Sequence, residues 1–154
     1  MYPQALSSHF TRHRISRPAR LVFTEKQWAD FRSHLIQKDG SERAAFMLLG
    51  RHKGAVETKY LVHKLLLVPD DRCVQQHGAV VEPEIECVLE NLLKYTQGEC
   101  AAFLHAHSHP FTRVAYFSSI DDAYLPREIE SLKNYLQLRK SDRPCRFARI
   151  VLGQ

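Results

Sequence analysis

The stretch Ala-Ala-Phe-Met-Leu-Leu-Gly, residues 44–50, is apolar without a break and only seven residues long. Turn signals bound it, Lys38-Asp-Gly-Ser41 before and His52-Lys-Gly-Ala55 after. A short unbroken apolar run between turns is the pattern of a strand buried in a sheet. Cys100-Ala-Ala-Phe-Leu-His-Ala-His107 is a second run of this kind. A chain with such strands must cover them, and the intervening segments carry helical patterns.

Arg20-Leu-Val-Phe23 reads as a first strand. Thr24-Glu-Lys-Gln27 then fits a capping box, and Trp28, Phe31 and Leu35 follow at helical spacing. After the strand at 44–50, residues 58–68 return as another, as in an antiparallel hairpin. Residues 69–83 read as loop. Pro83 suits a first helical position, and Ile85, Val88, Leu89, Leu92 and Leu93 form an apolar stripe that ends at Gly98. Leu125, Ile129, Leu132 and Leu136 mark a helix over 126–140, and Arg146–Gly153 a last strand. The expected fold is α/β, a single domain whose mixed, largely antiparallel sheet is flanked by helices.

The chain has 154 residues, enough for one core. Its formal charge of +5 is unevenly spread: four arginines and no acid occur before Glu25, so the remaining 130 residues carry only +1. A nearly neutral body is a poor footprint for nucleic acid. Residues 1–19 read as a separable basic arm, with the folded domain at 20–154. A transit peptide is the alternative to a flexible arm, but the apolar face it needs is weak here, and the apolar core of a secretory signal is lacking. No run approaches the ~20 apolar residues that span a bilayer. Cys73, Cys87, Cys100 and Cys145 form no C-x-x-C pair, which suits free thiols in a reducing cytoplasm.

Three histidines, His105, His107 and His109, alternate at the end of the strand that begins at 100. Alternate strand residues share a face, so His107 and His109 project in parallel toward one point. Pro110 keeps His109 extended. Asp121 lies where a helix begins, a position that favours a carboxylate. Two imidazoles and one carboxylate leave a fourth position open, as in a catalytic zinc site. A serine hydrolase would use the same residue types, but neither Ser118 nor Ser119 sits in a glycine-flanked elbow.

The segment His107-Ser-His109-Pro, followed by Ser118-Ser-Ile-Asp121, resembles the signature of the JAMM, or MPN+ (JAB domain), zinc metalloproteases. That signature is H-[S/T]-H-P, a loop, then S-x-x-D, with a glutamate placed upstream before an apolar strand; Glu42 stands there. The resemblance extends from about Leu21 to Leu152. The gaps from His109 to Ser118 and from Glu42 to Gly50 are each one residue longer than usual. Ser118/Asp121 and Ser119/Asp122 both keep the S-x-x-D spacing, and the first needs the smaller insertion.

The resemblance implies an MPN, cytidine-deaminase-like architecture and one zinc ion per chain, bound by His107, His109 and Asp121. It implies Glu42 as the proton carrier and Ser118 as the oxyanion donor. His105 would line the site. The implied activity is an isopeptidase or peptidase cutting after the C-terminus of a ubiquitin-like protein or its conjugate, in a cytoplasmic, bacterial or archaeal setting, with E1- or E2-like proteins as further partners. A trimming protease for a sulfur-carrier protein and a catalytically silent MPN-type scaffold are the alternatives.

Overall fold

The structure is a computed structural model, and it describes residues 19–76, 80–83, 102–109, 115–138 and 146–153. The elements are β1 (Ala19–Val22), α1 (Glu25–Leu35), β2 (Ala44–Lys53), β3 (Thr58–Leu67), β4 (Cys73–Gln76), β5 (Val80–Pro83), β6 (Ala102–His109), α2 (Ser119–Leu138) and β7 (Arg146–Gly153). Five strands form one sheet in the order β1-β3-β2-β6-β7, and β4 pairs with β5 separately. The sheet curls, so that its two edges, β1 and β7, line one groove with Trp28 and Phe31.

The α/β class and the mixed sheet match expectation; the balance of directions does not. β2 runs antiparallel to β3 and to β6. Both edge pairs, β1 with β3 and β6 with β7, are parallel. The sheet is therefore mixed rather than largely antiparallel. A parallel pair needs a crossover between its strands, and α2 lies in the connection from β6 to β7.

Other boundaries also shift. Ala19, assigned to the arm, belongs to β1. β2 continues past Gly50 through His52 and Lys53, and the turn falls at 54–57, where the Gly54 N–H donates to the Glu57 carbonyl. A Cβ on Gly50 would meet the ring of His63, which lies over it. Residues 69–83 are not all loop: they hold a 3-10 turn at Asp70–Arg72 and then β4 and β5, and Pro83 ends β5. The stripe at 85–93, most of the arm, His77 and Cys87, Cys100 and Cys145 lie outside the described residues.

The pleat of the two central strands divides the interior. Ala45, Met47 and Leu49 of β2, with Ala102, Leu104 and Ala106 of β6, form a core with Phe31 and Leu35 of α1. On the opposite face, Phe46 packs on Phe103 and stacks against His105 at a centroid distance of 4.6 Å. Every residue of β6 is buried, so its three histidines are enclosed although they are polar.

α1 begins as expected. The Thr24 hydroxyl accepts from the Gln27 N–H (3.2 Å), and the Gln27 side chain accepts from the Thr24 N–H (2.9 Å). Gln27 Nε2 also donates to the Val62 carbonyl, which fastens the helix start to β3. Phe31 and Leu35 are buried, whereas Trp28 is half exposed and packs on Phe23 and Phe31. At the other end, His34 Nε2 lies 3.1 Å from the Ala44 carbonyl, and burial pulls its pKa down. Thr24→Ala should lower unfolding stability by ~1 kcal/mol, read by urea denaturation, because it removes the cap acceptor. Unchanged stability would mean that the box does not hold the helix start.

Candidate metal centre

His105, His107 and His109 emerge from one face of β6, and β2 fixes what stands opposite them. Ala44 pairs with His107 in the antiparallel register. One step further along, the Ser108 N–H donates to the Arg43 carbonyl and the Arg43 N–H donates to Ser108 Oγ. The same register carried on brings Glu42 beside His109, and the Glu42 Oε1 to His109 Nε2 distance is 3.9 Å.

Arg43 anchors this approach. Its guanidinium donates two hydrogen bonds to Asp39 and two to Asp70, at 2.7–3.1 Å. These bonds hold the arginine charged and keep the Asp39 carboxyl well below the usual carboxylate range. Glu42 is thus set between a clamped neighbour and a paired strand.

Asp121 arrives from the first turn of α2. Ser118 caps this helix: its Oγ accepts from the Asp121 N–H (3.2 Å), while Asp121 Oδ2 accepts from the Ser118 N–H (2.6 Å) and the Ser118 hydroxyl (2.7 Å). Ser118-x-x-Asp121 is therefore a capping box with a carboxylate as its third-position acceptor. Asp121 Oδ1 faces His107 Nε2 at 3.0 Å. Asp122, the alternative carboxylate, is exposed, and so is Ser119.

The structure thus brings together His107, His109 and Asp121, each offering one ligand atom within 4.8 Å of the others. The two Nε2 atoms are 3.1 Å apart, and Asp121 Oδ2 is 3.5 Å from His109 Nε2. Ligands ~2.0–2.1 Å from a tetrahedral zinc ion stand ~3.3–3.4 Å from one another, so the donor set fits such an ion. The electrostatics also favour a cation. Burial alone would raise the Asp121 carboxyl, but hydrogen bonds from His107 and Ser118 outweigh it and hold the pKa well below the ordinary range. Desolvation, then the neighbouring His107, lowers the His109 pKa. Both shifts favour the protonation states that bind metal, carboxylate and neutral imidazole.

His105 is not in this group. Its Nδ1 lies 2.8 Å from Glu128 Oε1 on α2, though off-axis for a hydrogen bond. Glu128 and Arg149 are site neighbours that the sequence reading passed over. Glu128 stands seven residues after Asp121, on the same helix face. Arg149 is the register partner of His105 across β6 and β7. A single arginine inside the apolar run Ala148–Leu152 was the available signal. Tyr116 and Phe117, both partly exposed, pack at the rim against His109 and His107.

Asp121→Asn keeps an oxygen for the helix cap but loses the anionic ligand. It should fold and lose bound metal in elemental analysis, as should His107→Ala. Asp122→Asn should keep the metal and change stability by no more than the ~0.3–1 kcal/mol of an exposed helix-dipole contact. Metal retained in Asp121→Asn and lost in Asp122→Asn would move the assignment to Ser119/Asp122.

No family model matches the chain, and no curated protein matches it.

Proposed function

We propose that the chain is a zinc metallopeptidase of the JAMM type, an isopeptidase that cuts after the C-terminus of a ubiquitin-like protein or its conjugate. One observation carries this reading: His107, His109 and Asp121 converge at ligand spacing with the Glu42 carboxylate 3.9 Å from His109 Nε2. Three ligands and an adjacent carboxylate are what hydrolysis at an open zinc site requires. A closed structural site would instead take a fourth protein ligand.

Zinc, when bound by His107, His109 and Asp121, supplies Lewis acidity that lowers the pKa of a water to ~7. Glu42 accepts a proton at Oε1 from the attacking water and returns it to the departing amine, which cannot leave as an anion. The Ser118 hydroxyl donates to the oxygen that gains charge as the carbonyl is attacked. To do so it turns away from Asp121 Oδ2, and the Ser118 N–H, 2.6 Å from that oxygen, keeps Asp121 in place meanwhile. His107 and His109 are buried in β6, and this shielding from bulk solvent strengthens each of these interactions.

Among the described residues no helix is long and apolar enough to cross a membrane. A cytoplasmic setting and E1- or E2-like partners belong to the same reading and rest on the resemblance. Trimming of a sulfur-carrier protein would use the same chemistry. The silent MPN-type scaffold has one observation in its favour: the Ser118 hydroxyl is already committed to Asp121, as a purely structural cap requires.

Glu42→Gln separates these readings. Glutamine preserves shape and hydrogen bonding but cannot carry a proton. The variant should keep fold and zinc and lose at least ~100-fold in turnover on ubiquitin-like fusions, within the ~10²–10⁴-fold typical of general acid–base catalysis. A chelator should abolish wild-type cleavage, and added zinc should restore it. Near-normal cleavage by zinc-loaded Glu42→Gln protein would remove Glu42 from the mechanism. Stoichiometric zinc without hydrolysis of any fusion would favour the scaffold.

A further inference from the structure

Behind the three ligands lies a buried chain of charge. Glu128 and Arg149, with side chains 10% and 7% exposed, approach at 3.3 Å between Oε2 and Nε. This is an ion-pair separation without hydrogen-bond alignment. The other end of the guanidinium reaches Asp121 twice: Nη1 donates to its backbone carbonyl at 2.7 Å and Nη2 to its Oδ1 at 3.4 Å. The Arg149 guanidinium carbon also stands 5.0 Å from the Phe117 ring centroid, over its face.

Pro126 sits inside the helix close to that carbonyl. In an uninterrupted helix the Asp121 carbonyl would accept from the N–H of Leu125. Leu125 precedes Pro126, which sits inside α2. The residue before a proline is pushed away from helical geometry, and proline itself has no N–H for the Asp122 carbonyl. The early part of α2 therefore lacks one backbone bond, at the residue next to Asp121, and Arg149 supplies a donor to Asp121 itself from another element.

We infer that Arg149, held by Glu128, is a positioning residue that fixes both the backbone and the carboxylate of Asp121 as a metal ligand. The inference rests on the metal-site reading above. A bare cation so near a metal would weaken binding by repulsion. Here the Glu128 anion compensates the charge, and the planar fork reaches two oxygens of one residue. Lysine, a point charge on a flexible stem, cannot hold both. His105 stacks on Phe46 and confines Glu128 from the far side.

The test is zinc affinity of the full chain, measured by competition with a chromophoric chelator, together with the visible spectrum of the cobalt-substituted protein. Arg149→Met should bind zinc ~10- to 100-fold more weakly, the range for residues that orient metal ligands, and should alter the cobalt spectrum. Arg149→Lys should fail to restore either. Should Arg149→Met not fold because Glu128 is stranded, the double variant Glu128→Gln/Arg149→Met removes both charges, a change that cores tolerate. It should show the same loss. Unchanged or tighter zinc binding in Arg149→Met or in the double variant, or full restoration by Arg149→Lys, would overturn the inference. Because zinc alone is read, failure to cleave any ubiquitin-like fusion would sink the peptidase reading and leave this one standing.

Discussion

The antiparallel register between β2 and β6 is the constraint on which the rest depends. It pairs Ala44 with His107 and, through Arg43 and Ser108, carries the chain so that Glu42 meets His109. Moving that register by one residue would turn every side chain of one strand to the opposite face. The core would then lose Ala45, Met47 and Leu49, and the histidines would face other partners. The burial that stabilises the sheet and the geometry that assembles the site are thus one arrangement. A hydrophobic pattern along two strands specifies the position of a carboxylate that is itself polar.

Contacts within the protein also hold the side chains of the candidate site. Asp121 is fixed by Ser118 on one oxygen, Glu42 immediately precedes a clamped Arg43, and His107 is buried in β6. This arrangement costs stability, since polar groups are desolvated where Glu128 of α2 packs on the sheet face that carries His105 and Arg149. The face toward α1 compensates, with an apolar core from β2, β6 and the helix. The division follows from the pleat: alternate residues of the same two strands serve the core on one side and the candidate site on the other.

Much of this was legible in the sequence. The unbroken apolar runs announced β2 and β6, Thr24 and Gln27 announced the start of α1, and the alternating histidines announced a common face. Strand direction was not legible, because periodicity carries no information about parallel or antiparallel pairing. β4 and β5 were missed because their segment is rich in turn-forming residues and its valines are few. A helix start at Asp121 was expected, but the apolar stripe marked only 126–140 of a helix that spans Ser119–Leu138, and its cap went unread. Ser118-x-x-Asp121 was read as a motif for metal and oxyanion, although it has the same local logic as Thr24-x-x-Gln27. Glu128 and Arg149 belong to distant segments whose meeting depends on the β6–β7 register and on the path of α2.

On the proposed peptidase reading, the double duty of Ser118 and Asp121 also bears on how such a chain can change over generations. A lineage that abandoned hydrolysis would be released from keeping His107 and His109 but not from keeping a well-started α2. Selection on folding alone would go on preserving the serine and the aspartate, whereas the histidines would drift toward apolar residues that suit a buried strand better. A recognition rule weighted toward S-x-x-D would then count inactive descendants as active. One weighted toward the paired histidines would separate them, because only the chemistry gives a buried strand reason to keep imidazoles there.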